Sequence, residues 1–169
     1  MNKKGFILIG LFTTLFLLAS VSTALAQTTT DQKDLGILIA KIVMGLSLSL
    51  GLAGSAIGLG IAFSALLGGG SENFFKNIAV AMMPSTQGIY AIVILFANMA
   101  NLEVDPYTVA GKAATFGFAL FFSGWYQGIV CAAGIRSILE GRNTLANAMV
   151  SGAMPETYAV FALVMTFII

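Results

Sequence analysis

Apolar residues in this chain fall in long unbroken runs: Leu35 to Leu67, Ile78 to Ala100, Ala113 to Ile135 and Leu145 to Ile169. Crossing a hydrocarbon layer as a helix takes about 20 apolar residues, and a helix satisfies its own backbone groups where no water can. The pattern therefore predicts an all-α membrane protein with four transmembrane helices. A fifth apolar stretch, Gly5 to Ala26, differs in its flanks: Lys3 and Lys4 precede it, and Ala24-Leu25-Ala26 offers a small-residue cleavage site before Gln27. That order is a secretory signal peptide pattern over residues 1–26, the alternative being a retained extra helix. Residues 27–34 would then form a polar external N-terminus.

The polar breaks set an orientation. Lys76 follows the first helix, and Arg136 and Arg142 follow the third, whereas the break at residues 101–106 holds Glu103 and Asp105 and no basic side chain. The positive-inside bias places the two basic turns in the cytoplasm and residues 101–106 outside with both termini. Lys41 and Lys112 lie near outer helix ends, where their stems can snorkel.

Composition agrees: 58% of residues are hydrophobic, 9% are charged, histidine is absent and the net charge is +1. With no Lys/Arg cluster, nucleic acid is not an expected partner. The lone Cys131 sits beside Ala132 and Ala133 and reads as a small packing residue. Gly68-Gly69-Gly70 leads into Ser-Glu-Asn without the lysine of a phosphate-binding loop, so no direct ATP binding is expected.

Against this background one residue stands out. Glu156 is the only charged side chain between Arg142 and Ile169. At about 1.5 Å per residue it lies roughly 20 Å from either end of that segment, near the middle of a layer about 30 Å thick. A charge there costs about 3 kcal/mol on insertion scales, which makes an intramembrane acid a functional candidate by default. Two readings follow: a protonated acid bonding a neighbouring helix, or a carrier of protons or cations.

The chain also repeats itself. Met83-Pro84-Ser85-Thr86 and Met154-Pro155-Glu156-Thr157 are related by an offset of 71, and the Gly54/Gly58 and Gly124/Gly128 pairs by an offset of 70. Two helical hairpins, residues 35–100 and 107–169, thus share one pattern. Ser85 stands where the second hairpin has Glu156, so one carboxylate serves four helices. The first helix of each hairpin carries a row of small residues, suited either to packing inside one bundle or to a tight inner ring of copies. Pro84 and Pro155 are expected to free the carbonyls of Val80 and Ser151, as bend sites or cation ligands.

Pro84-Ser85-Thr86-Gln87-Gly88-Ile89-Tyr90, Ser123-Gly124-Trp125-Tyr126-Gln127-Gly128 and Pro155-Glu156-Thr157-Tyr158-Ala159 together resemble the proteolipid subunit of V/A-type rotary ATPases, in its duplicated bacterial sodium-type form. The likeness covers about Leu35 to Ile169. It implies a homo-oligomeric ring turning against a stator membrane subunit that supplies an arginine, with central-stalk subunits docked on the cytoplasmic turns and ATP chemistry on soluble partners. It makes Glu156 the ion-carrying carboxylate. In sodium-carrying members the site is completed by residues matching Thr86, Gln87, Gln127 and the backbone carbonyl of Met83, with Tyr90 matching a tyrosine that steadies the carboxylate. Met83 departs from the usual leucine, but a backbone ligand depends little on its side chain. One carboxylate, two amide oxygens, a hydroxyl and a carbonyl form an oxygen set that suits a small hard cation. A proton site would need only Glu156, leaving Gln87 and Gln127 as polar groups to be paired in the membrane. The resemblance implies no cofactor, only transported Na+, or less readily H+.

Two other classes fit the bare pattern of four helices and one acid. A cation-coupled antiporter would use Trp125, Tyr126 and Tyr158 as an aromatic pocket, and a structural tetraspan channel would tolerate loss of Glu156. N-terminal sequencing of the mature protein is expected to begin at Gln27; an intact Met1 would overturn the cleavage.

Overall fold

The computed structural model describes residues 32–168; the expected signal peptide and cleavage site lie outside the described residues. Five α-helices follow in order: α1 Gln32–Leu67, α2 Ser71–Met82, α3 Thr86–Met99, α4 Pro106–Leu139 and α5 Leu145–Ile168, with a 3-10 turn at Met83–Ser85 joining α2 to α3. Since α2, the turn and α3 form one continuous span, Ser71–Met99, four segments are long and apolar enough to cross a membrane. No strand occurs among the described residues.

The helices outrun the apolar stretches that announce them, because hydropathy marks the part within hydrocarbon while capping sets the ends. α4 starts at Pro106, seven residues before Ala113, where Asp105 caps it by accepting a hydrogen bond from the Thr108 amide at 3.2 Å. Hydrogen bonds from Thr108 hold the exposed Asp105 carboxyl below its usual range. Similarly, the expected loop at residues 68–77 shrinks to Gly68-Gly69-Gly70, and Glu72 and Lys76 ride on α2. α4 ends in a Schellman turn: Gly141, at φ 70°, donates to Ile138, and Arg142 donates to Ser137.

α1 and α4, the first helix of each hairpin, meet directly through their small residues. A methyl group added at Gly54 would lie 2.7 Å from the Phe121 Cα, and one added at Gly124 would lie 2.7 Å from the Gly54 carbonyl carbon. In the same way Gly58 faces the Gly124 carbonyl, and Gly128 faces the Gly58 backbone. The small-residue rows therefore serve packing within one bundle at these four positions, whatever else they do between copies. Gly45, Gly60 and Gly111 meet nothing within 4 Å.

Buried side chains form three layers along the bundle. Leu66, Val80, Cys131 and Ile135 belong to one, Ala91, Ile94, Phe116 and Leu120 to the next, and Met44, Val109 and Ala113 to the last. Cys131 is fully buried, as expected of a packing residue. Between the first two layers lie the buried Gln87, Ser123 and Gln127.

Since backbone faces backbone, the contact cannot yield to a larger residue. Gly124→Val should abolish monodisperse protein in detergent, read by size-exclusion chromatography. Gly111→Ala should be neutral, or raise the melting temperature slightly through the ~1 kcal/mol helix preference of Ala over Gly.

Candidate ion-binding site

Glu156 is half-buried on α5, one residue after Pro155, within a helix that runs unbroken through the proline. Its carboxylate accepts two hydrogen bonds from two other helices. Tyr90 on α3 donates its hydroxyl to Oε1 at 3.0 Å, and Gln127 on α4 donates Nε2 to Oε2 at 3.2 Å. Three spans thus converge on one acid.

Gln127 is fully buried and uses every side of its amide. Besides Glu156, Nε2 donates to the Gly152 carbonyl at 3.0 Å, while Oε1 accepts from Gln87 Nε2 at 2.6 Å. Gln87, equally buried, also donates to the Ser123 hydroxyl at 3.1 Å, and Ser123 donates to the Pro155 carbonyl at 2.7 Å. Thr86 completes the cluster: its hydroxyl lies 3.2 Å from the Met83 carbonyl and 3.4 Å from Gln87 Oε1. Among the described residues, no buried side-chain nitrogen or oxygen lacks a partner. A polar layer so completely bonded is rigid, and removing any member strands another.

All the residues expected at the site are therefore gathered in one place: Glu156, Gln127, Gln87, Thr86, the Met83 carbonyl, Tyr90 and the two prolines. Ser123 belongs to the network as well, although a serine among glycines and alanines gave no sign of it beyond lying four residues, one helical turn, before Gln127.

The proline expectation changes in detail. The Val80 carbonyl is not free, because Met83 donates its amide to it as the chain tightens into the 3-10 turn. Consecutive hydroxyls favour that tightening: Ser85 bonds the Met82 carbonyl at 2.8 Å and Thr86 the Met83 carbonyl. In the second repeat Glu156 replaces the first of these hydroxyls, only Thr157 bonds back, to Met154, and the helix stays regular.

The aromatic trio does not form one pocket. Trp125 packs edge-on against Phe121, with ring centroids 5.7 Å apart. Tyr126 and Tyr158 instead line an open groove of about 500 Å³ between α4 and α5.

Chemically, the site sets one carboxylate among neutral hydroxyl, amide and carbonyl groups. Among the described residues, no group of three His, Cys, Asp or Glu side chains is placed to hold a metal.

Known proteins match the chain hairpin by hairpin. The family of the ATP synthase C subunit matches residues 42–97 and again residues 110–169. The V-type sodium ATPase subunit K of Enterococcus hirae is 32% identical over 142 residues, covering 79% of this chain and 91% of that protein. The A-type ATP synthase subunit K of Methanocaldococcus jannaschii is 38% identical over 132 residues, covering 72% of this chain and 59% of that protein. With one family match on each hairpin, the chain belongs to the ATP synthase C-subunit family, as a duplicated, multi-pass rotor-ring proteolipid of a rotary ATPase.

Proposed function

We propose that each copy carries one Na+ through the membrane, bound at Glu156 and released once per turn of the ring. The observation that carries this reading is the single mid-span carboxylate set in a fully bonded, oxygen-rich layer drawn from three spans. Its direct neighbours are the Tyr90 hydroxyl and the Gln127 amide, which fix where its two oxygens lie. The ligand set is the Glu156 carboxylate, the side-chain oxygens of Gln127, Gln87 and Thr86, and the Met83 carbonyl. These are hard donors with one negative charge, which matches a small monovalent cation. The sodium named for the Enterococcus relative supports the same cargo.

Tyr90 holds the carboxylate in place as the ion comes and goes, and Ser123 fixes Gln87 against α5 through the Pro155 carbonyl. Ion and carboxylate cancel in charge. The occupied site can then pass lipid, whereas the emptied one is confined to a polar path, because a bare charge in hydrocarbon is too costly. Occupancy in this way gates rotation. A stator subunit offering an arginine would displace the ion, and ATP would be handled by soluble subunits docked through the stalk on the turns at residues 68–70 and 140–144. Those turns face the cytoplasm in this reading, and the termini of the mature chain lie outside the cell membrane.

Carbodiimide reacts with a protonated carboxyl, so labelling of the detergent-purified protein at mildly acidic pH, located by mass spectrometry, reports the site directly. Labelling is expected at Glu156 alone, suppressed by sodium chloride and not by potassium chloride; labelling indifferent to sodium would overturn the sodium assignment. Gln127→Ala should raise the sodium concentration needed for protection by about ten- to a hundredfold, the scale of losing a partner to a charged group. Unchanged protection would remove Gln127 from the ligand set. Tyr90→Phe should weaken protection by about tenfold while leaving Glu156 the labelled residue.

A further inference from the structure

We infer that Ser55 on α1 is a positioning residue for the ion site: its hydroxyl caps the first turn of α3 from a neighbouring span and so holds Thr86 and Gln87 where the ion needs them. The inference rests on the sodium reading above and gives a part to the one span that supplies no ligand.

A helix leaves its first few amides without partners, and a side-chain oxygen at the N-cap ordinarily takes one of them, two or three residues further on. Here α3 starts afresh at Thr86, because the 3-10 turn at Met83–Ser85 interrupts the span. Ser85 stands at the N-cap and is of the right type, yet it makes no side-chain cap. Its hydroxyl bonds the Met82 carbonyl instead. The third amide of the helix, that of Gly88, donates to the Ser55 hydroxyl at 2.7 Å. Ser55 is only 6% exposed, which shields the bond from water.

The fit around this bond is close. A methyl group added at Gly88 would lie 3.3 Å from both Ser55 Oγ and Leu52 Cδ2, tight enough to press on the hydroxyl. One turn to either side along α1, a methyl added at Gly51 would lie 3.5 Å from the Gln87 carbonyl oxygen, and one added at Gly58 would lie 2.8 Å from the Pro84 Cβ. Gly51, Ser55 and Gly58 thus form one stripe, spaced four and three, against which the 3-10 turn and the start of α3 rest. Thr86 and Gln87 immediately precede the capped amide, and Tyr90 follows it by two residues. A cap that fixes Gly88 therefore fixes the backbone that carries all three.

The repeat supplies a contrast. By the offsets of 70 and 71, Ser55 corresponds to Trp125 and Gly88 to Ala159. Tryptophan offers only a donor, so it cannot accept from an amide. α5 needs no such acceptor, since it runs unbroken through Pro155. The cap from a neighbouring helix thus belongs to the repeat whose span is broken and whose first-turn residues serve as ligands.

Sodium protection against carbodiimide tests this on the full-length, detergent-purified protein, with the melting temperature recorded alongside. Ser55→Ala should raise the sodium concentration for half protection by about three- to tenfold, the scale of one neutral hydrogen bond. Ser55→Cys should do the same, because its thiol fills the space but accepts weakly, which separates loss of the bond from loss of volume. Ser47→Ala, which removes an equally buried serine about two turns away on α1, should leave half protection unchanged. A lowered melting temperature with unchanged sodium protection in both Ser55 variants would make Ser55 merely structural and overturn the assignment alone. An equal shift from Ser47→Ala would overturn it as well. Wild-type labelling indifferent to sodium would overturn the sodium reading and this inference together.

Discussion

A carboxylate held in the middle of a hydrocarbon layer must find its hydrogen bonds inside the protein, and nearly every feature of this bundle can be derived from that constraint. Glu156 obtains its partners from Tyr90 and Gln127 on two other spans. Gln127 in turn needs Gln87 and the Gly152 carbonyl, and Gln87 needs Ser123. The chain of needs ends only when each polar atom is paired, because an unpaired one in this setting is costly. Packing serves the same end. The α1 and α4 backbones approach through Gly54, Gly58, Gly124 and Gly128, which brings α4 close enough for its glutamine to reach both outer spans.

Duplication shows what the constraint demands. Two copies of a Met-Pro motif begin alike, yet one is followed by Ser85 and Thr86 and the other by Glu156 and Thr157. The first supplies hydroxyls that bond back to its own carbonyls, and the second supplies the charge. A bundle with an acid at both positions would have to provide a second full set of partners. By the offsets of 70 and 71 the places of Gln127, Gln87 and Tyr90 hold Ile57, Tyr158 and Phe161, which do not offer one.

Much of this was legible in the sequence because polar residues are conspicuous in lipid-facing runs. Glu156 stood out by contrast alone, and the family likeness set Gln87, Gln127, Thr86 and Tyr90 beside it. Four membrane-crossing segments followed from length and hydropathy. Ser123 was not legible, since its small size hides it among Gly117, Gly124 and Gly128. The start of α2 was misjudged by several residues, because hydropathy follows the apolar run from Ile78 and does not register that the helix already begins at Ser71. The Val80 carbonyl, expected to be free, is taken by Met83, since a proline removes a donor without dictating which neighbouring amide moves in.

The 3-10 turn at Met83–Ser85 also acts as an angular adjuster within the second span. Each residue advances about 120° in such a turn against about 100° in an α-helix, so three residues rotate everything beyond them by roughly 60°. α2 can therefore present Asn77, Val80 and Ala81 to the bundle while α3, on the same membrane-crossing rod, presents Gln87, Ala91 and Ile94. The second span is in effect two half-helices joined at a tighter turn, one packed into the first apolar layer and the other carrying the tyrosine that meets the acid.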